Sequence, residues 1–389
     1  MRFILLWLCF FGSAFALKVD LTAKAAILIN ADTGAVLYEK NAHAPAFPGS
    51  TTKVATALYV LEEKNLDFNR MVSVSAEAVR RNQGKRTEET PAYWLDIDDS
   101  LMGIVRGEIA SIESLMHGML LVSGNDAANV IAETVSGSVP KFMGELNDYL
   151  QRLGLTKTYF TNPHGYPHHR HMSTPYDMAQ MTRRAFQLPQ FREIVRKPTY
   201  LRPKTNKRAA GEMRQSNLLV VPTSKHYYPK AIGGKTGHHS KAGWCLTSLA
   251  EHEGRTLIAV VFGCPKNADR FMDSRKLFEA AFAEKQLRRV VVSRTQDFTK
   301  PVEGAKKPLK ALLSKDLSLT YYPSEEPKVK TYIYWNPPKF PIQKGDKVGE
   351  VRAVDSQGSV LAQEDLKASE AISPTFFFAL KEKWNQFFR

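Results

Sequence analysis

The stretch Phe47-Pro48-Gly49-Ser50-Thr51-Thr52-Lys53, with the run that follows it to about Asn65, decides how this chain is read. Positions Ser50, Lys53, Val54, Ala57, Leu58 and Leu61 recur at i, i+3, i+4, i+7, i+8 and i+11, the period of one helical face. The spacing predicts a helix with Ser50 and Lys53 on its buried stripe. A serine hydroxyl is inert until a neighbouring base takes its proton. Burial disfavours an ammonium and lowers the lysine pKa, so an amine one turn away becomes a base near pH 7. A plainer reading covers the same residues: Ser50 or a threonine caps the helix, and Lys53 snorkels to water. S-x-x-K recurs often by accident, so on this stretch alone the plainer reading stands first.

Around that stretch lie 389 residues, room for two or three domains, with 43% hydrophobic and 24% charged residues as in ordinary globular proteins. Arg2, the apolar run Phe3 to Phe11 and Ala14-Phe15-Ala16 have the form of a secretory signal with a small-x-small cleavage site. The run is too short to span a bilayer. Residues 1–16 are therefore expected to be a signal peptide cleaved after Ala16, with an uncleaved anchor as the second reading. Losing Arg2 takes the formal charge from +15 to +14. In an exported protein such a charge meets anionic lipid headgroups or an acidic wall polymer, and no nucleic-acid motif accompanies it. Cleavage leaves Cys245 and Cys264, which flank two apolar runs that read as a β-hairpin. Either a cross-strand disulfide or two buried free thiols fits that placement, depending on register.

Taken in order, Ala25 to Asn30 and Ala35 to Glu39 form a hairpin around Asp32-Thr33-Gly34. Val72 to Gly107 is irregular and polar. Helices are predicted over Ser111 to Leu121, Ala127 to Val135 and Phe142 to Leu153, the first two joined by Val122-Ser123-Gly124-Asn125-Asp126. His164, His168, His169 and His171 crowd one stretch, but a Pro- and Gly-rich loop explains them better than zinc, because no helical H-x-x-x-H, Cys or acidic partner is near. Arg196 to Arg214 reads as a basic loop, usually merely solvated, that could here attract an anionic polymer. Gly233-Gly234-Lys235-Thr236-Gly237-His238 precedes the cysteine hairpin, and glycines on both sides of Lys-Thr mark a backbone that something approaches closely.

S-x-x-K, S-x-N and K-T-G thus fall in that order, at Ser50, Ser123 and Lys235. Here the sequence resembles the serine D-alanyl-D-alanine carboxypeptidases, low-molecular-mass penicillin-binding proteins of peptidase family S11. Pro48-Gly49-Ser50, Gly118-Met119-Leu120, Ser123 to Ala128, Asn162-Pro163-His164-Gly165, His171-Met172-Ser173-Thr174, Asn217-Leu218-Leu219 and Lys235-Thr236-Gly237-His238 all look like that family, in order. The likeness is strong over about 20–285 and looser beyond. It implies an α/β (α+β) fold of the penicillin-binding-protein and β-lactamase type, with an antiparallel sheet and a helical subdomain.

The resemblance also implies a reaction. Ser50 would attack the penultimate D-alanine carbonyl of a peptidoglycan stem peptide, with Lys53 as base, and β-lactams would acylate the same hydroxyl. Ser123 would relay a proton to the leaving amine, and Asn125 would hold the substrate amide and orient Lys53. Lys235 would hold the other amine neutral and, with Thr236 and Gly237, receive the substrate carboxylate. The amides of Ser50 and His238 would form the oxyanion hole. No metal or organic cofactor is implied.

Two features depart from the family. The segment between Val79 and Ser111 is longer and carries Trp94, Asp96, Asp98 and Asp99, and His239-Ser240 follows His238. A β-lactamase of class A is discounted, since between Tyr149 and Arg192 the only acidic residue is Asp177. A D,D-endopeptidase of peptide crosslinks and a non-catalytic wall-binding scaffold remain as alternatives.

From about Arg289, β-rich runs separated by Pro, Gly and Lys predict a small all-β domain. Phe376, Phe377, Leu380, Trp384, Phe387 and Phe388 then form an apolar stripe on a helix too short to span a bilayer. The expected organisation is a signal over 1–16, a catalytic domain over 17–288, a β-domain over 289–372 and a membrane-surface helix over 373–389. The protein is expected in the periplasm or at the cell surface, peripheral on the membrane. Docking of that helix on the β-domain is the other reading.

Overall fold

A computed structural model describes residues 17–64 and 66–387. The expected signal at 1–16 lies outside the described residues, which divide into two compact units, 17–283 and 284–387.

The first unit begins with the hairpin β1 (Ala25–Asn30) and β2 (Val36–Lys40), which leads into α1 (Lys53–Glu63). A short pair, β3 (Met71–Ser73) and β4 (Ile109–Ser111), brackets the irregular segment and feeds α2 (Ile112–Leu120). Next come α3 (Asn125–Ser136), α4 (Val139–Arg152), α5 (Pro175–Phe186) and α6 (Pro189–Arg196). The basic stretch is ordered as a hairpin, β5 (Thr199–Arg202) and β6 (Gly211–Arg214), rather than a solvated loop. Arg202 and Arg208 reach the buried Glu108 carboxylate at 3.7 Å, which ties the hairpin to the irregular segment. The unit closes with β7 (Ala231–His239), β8 (Gly243–His252), β9 (Arg255–Cys264) and α7 (Asn267–Phe282).

These strands form one antiparallel sheet in the order β2-β1-β9-β8-β7, which leaves one side of β7 as a free edge. Strands β1, β8 and β9 read as near-continuous apolar runs because both faces are covered. Ile27, Leu249, Val260 and Phe262 face the core beneath α1 to α6. Leu28, Leu246, Ala259 and Val261 face Phe271, Leu277 and Phe278 of α7. The cysteines follow the same alternation: a register shift sets Trp244 opposite Cys264, with Cys245 in the helical core and Cys264 in the α7 core. They lie on opposite faces as free thiols, so the cross-strand bridge is ruled out.

Helix α1 is not the one-faced helix that its spacing predicts. Every residue from Lys53 to Tyr59, and Val60 after it, is buried, and small Ala55, Thr56 and Ala57 let neighbouring helices close around it. Ser50 lies just ahead, in a single 3₁₀ turn over Gly49–Thr52.

The second unit contains β10 (Leu287–Val292), β11 (Phe298–Lys300), β12 (Leu309–Leu313), β13 (Leu317–Tyr321), β14 (Lys330–Trp335), β15 (Lys347–Val354), β16 (Val360–Ala368) and α8 (Phe376–Phe387). A five-stranded sheet, β11-β12-β16-β15-β14, and the pair β10-β13 enclose Val292, Phe298, Ala311, Val351 and Leu366. In α8, Phe378 packs edge-on against Phe340, while Phe376, Phe377, Leu380 and Trp384 are 72%, 83%, 52% and 68% exposed. The side chains of Phe387 and Phe388 lie outside the described residues.

Candidate active site

Three backbone segments meet at Ser50, and their glycines permit it. A β-carbon on Gly165 would sit 2.0 Å from the Gly49 carbonyl oxygen and 2.9 Å from the Ser50 nitrogen; one on Gly237 would sit 2.7 Å from the Pro48 oxygen and 3.2 Å from the Ser50 nitrogen. No side chain fits either place. Strand β7 therefore runs directly beside the 3₁₀ turn, and Ser50 and His238 meet at one corner of a cleft of about 540 Å³.

Lys53 is fully buried below this corner. Its Nζ lies 2.9 Å from Ser50 Oγ, 2.6 Å from Asn125 Oδ1 and 2.8 Å from the His164 carbonyl oxygen. Burial lowers its pKa to about 7, against the opposing pull of Asp99 and Asp126. The amine is thus poised between base and ammonium at neutral pH. Asn125 opens α3, and the preceding Ser123 adopts φ +64°, a conformation non-glycine residues rarely take. That turn aims the Ser123 hydroxyl at Lys235, whose Nζ donates to it at 2.9 Å and to the Thr236 carbonyl at 2.8 Å. Burial holds the Lys235 pKa well below its usual value, reinforced by Lys53 and Arg270. Lys53 has three acceptors and two nearby carboxylates, and Lys235 has two acceptors and two cations.

The eight residues singled out in the sequence, Ser50, Lys53, Ser123, Asn125, Lys235, Thr236, Gly237 and His238, all converge here. Others were missed. Ser216 Oγ lies 2.7 Å from Thr236 Oγ1. Arg270, from α7, donates to the Gly237 carbonyl at 3.0 Å and lies 4.8 Å from the Trp244 ring centre; its buried Nε has no hydrogen-bond partner among the described residues. Burial lowers its pKa to about 10, so it stays charged at neutral pH. Trp244 in turn stacks on His238 at 3.6 Å. The only signal for Ser216 is its place beside Asn217-Leu218-Leu219; Arg270 has none, because a buried arginine breaks the apolar pattern that marks a helix face.

The histidine-rich loop supports the site from below. His171 Nδ1 accepts from the Thr161 amide at 3.1 Å, so its Nε2–H donates to Thr52 Oγ1 at 2.9 Å; burial lowers its pKa to about 3. His164 is likewise held neutral by burial and by Lys53, with its ring nitrogens 3.3 Å from the Tyr166 amide and the Tyr93 carbonyl. Among the described residues no His, Cys, Asp and Glu cluster could hold a metal. Asp177 accepts from Thr158 at 2.7 Å and lies in the first turn of α5.

This constellation has relatives. Residues 13–266 match the family described as D-alanyl-D-alanine carboxypeptidase, and residues 291–373 match the C-terminal domain of penicillin-binding protein 5. The D-alanyl-D-alanine carboxypeptidase DacF of Bacillus subtilis is 29% identical over 94% of this chain and 90% of that protein. DacA of Haemophilus influenzae, of the same description, is 26% identical over 94% and 89%. The crystal structure of penicillin-binding protein 5 from Haemophilus influenzae superposes with a TM-score of 0.63 at 26% identity, over 92% of this chain and 99% of that one. With one family model matched over residues 13–266 and the flanking domain over 291–373, the chain belongs to the D-alanyl-D-alanine carboxypeptidase family.

Proposed function

We propose that the protein is a serine D,D-carboxypeptidase that removes the terminal D-alanine from peptidoglycan stem peptides, through an acyl-enzyme on Ser50. The observation that carries this reading is the fully buried Lys53 amine, 2.9 Å from Ser50 Oγ. The Ser50 proton passes to Lys53 as Oγ bonds to the penultimate D-alanine carbonyl carbon. The Ser50 and His238 amides stabilise the resulting oxyanion. The carbon–nitrogen bond then breaks, the proton that Lys53 took from Ser50 is relayed through Ser123 to the leaving amine, and free D-alanine departs. Water hydrolyses the ester and restores Ser50.

The terminal carboxylate belongs beside Thr236, Ser216 and Arg270, whose charge and unpartnered Nε favour an anion. Its arrival next to Lys235 raises that amine's proton affinity and relieves Lys53 of its proton. Substrate binding thereby arms the base. β-Lactams, which carry a carboxylate beside a reactive carbonyl, acylate Ser50 by the same route.

The protein is proposed to act outside the cytoplasm, with α8 lying in an anionic membrane surface, where its exposed phenylalanines and Trp384 bury. Among the described residues no helix is long and apolar enough to cross a membrane. Incubation with a pentapeptide ending in D-alanyl-D-alanine tests the activity. One equivalent of D-alanine per peptide from wild type and none from Ser50→Ala supports it; no release from folded wild type contradicts it.

A further inference from the structure

Two backbone segments flank the Ser50 turn, and they touch a second time. From the histidine-rich loop Gly165 presses on the Gly49 oxygen, and from β7 Gly237 presses on the Pro48 oxygen. One residue past Gly165 and two past Gly237, the rings of Tyr166 and His239 meet edge to face, with centroids 5.4 Å apart and planes at 69°. Both residues line the cleft, and the mechanism above uses neither.

Tyr166 is held by its backbone and by its ring. Its N–H donates to Asn162 Oδ1 at 3.1 Å, and its carbonyl accepts from Asn162 Nδ2 at 2.9 Å. The Arg86 guanidinium lies 4.1 Å from the ring centre. Arg86 is fixed in turn: its Nε lies 2.9 Å from Asp96 Oδ2, and it donates to the carbonyls of Pro91, at 3.1 Å, and of Trp94. The ring cannot swing aside without leaving Arg86. The long segment between β3 and β4 thus shapes the cleft through Tyr166.

The pair stands on the acyl side of the scissile bond. The substrate carboxylate is placed beside Thr236, Ser216 and Arg270, and the penultimate carbonyl at the amides of Ser50 and His238. A peptide laid in that order along the free edge of β7 runs past His238 to His239 and Tyr166, and reaches them with the residue before the penultimate D-alanine. A stem joined to a second peptide through that residue's side chain is thickest at this point. We propose that Tyr166 and His239 are specificity-determining residues, a bar at the acyl end of the cleft that favours a linear stem peptide over one branched at its third residue. The inference rests on the carboxypeptidase reading and on its placement of the substrate.

The test uses two soluble pentapeptides ending in D-alanyl-D-alanine, with lysine as the third residue. Its ε-amine is free in one and carries an alanyl-alanine branch in the other; the branch ends in an amine, so the two peptides have the same charge. The readout is kcat/KM for release of D-alanine by the full-length wild type, Tyr166→Ala and His239→Ala. Wild type should prefer the linear peptide by about tenfold or more. Each substitution should bring the ratio to within about threefold of unity, mostly by lowering KM for the branched peptide. A merely structural loss lowers both rates alike and leaves the ratio where it was. His239 is only half-buried, at the end of β7, so His239→Ala gives the reading if Tyr166→Ala does not yield folded protein. An equal or reversed preference in wild type, or a preference that survives either substitution, overturns the bar and leaves the carboxypeptidase reading intact. Release of D-alanine from neither peptide by folded wild type takes both down.

Discussion

Gly165 shows how tightly single residues are specified at the nucleophile. Its φ of +98° and the 2.0 Å approach of the Gly49 oxygen leave a methyl group no place. Gly165→Ala is expected to displace the Ser50 turn, abolish penicillin acylation and lower stability by about 2 kcal/mol or more, read by adduct formation and thermal unfolding. As the proposed base, Lys53 is expected to set the pH dependence. With its pKa lowered to about 7, the neutral, active amine is lost as pH falls, so kcat/KM should decline below about pH 7, approaching tenfold per unit. His171, at about 3, and His164, lower than usual, stay neutral across that range and so do not produce the limb. A pH–rate profile with a soluble pentapeptide measures it; a flat profile from pH 6 to pH 8 contradicts the assignment.

At the scale of elements, helix α7 reaches across the sheet to complete the cleft. Arg270→Leu removes the cation proposed for the substrate carboxylate, and kcat/KM for the pentapeptide should fall about a hundredfold, mostly through KM. A change in kcat alone would place Arg270 elsewhere in the reaction. That contribution was illegible in the sequence because it depends on the distant packing of α7 against β7 and β8. Local patterns were legible: the Ile112-Leu115-Met116-Met119 face marks α2, and the Asp32-Thr33-Gly34 turn marks the first hairpin. Helices α5 and α6 went unassigned, although each opens on a proline in its first turn, a common helix start. Strands β11 and β12 were missed as well, being short and lysine-bearing. The motif residues survived this because S-x-x-K, S-x-N and K-T-G each sit where a backbone turn or edge dictates the residue type.

For the whole molecule, catalysis and membrane attachment are expected to be separable. Phe376 and Phe377 together offer about 3–6 kcal/mol on burial in an interface. The double variant Phe376→Ser, Phe377→Ser should therefore weaken binding to vesicles containing anionic lipid by at least about tenfold, read by sedimentation. Its hydrolysis of soluble pentapeptide should be unchanged. Equal vesicle binding by wild type and variant would remove α8 from the account. The central claim is the acyl-enzyme on Ser50, and intact-protein mass spectrometry with benzylpenicillin, followed by peptide mapping, reaches it most directly. The account predicts one penicilloyl group, carried by Ser50 and absent from Ser50→Ala. An unmodified wild type, or an adduct that persists in Ser50→Ala, would contradict it.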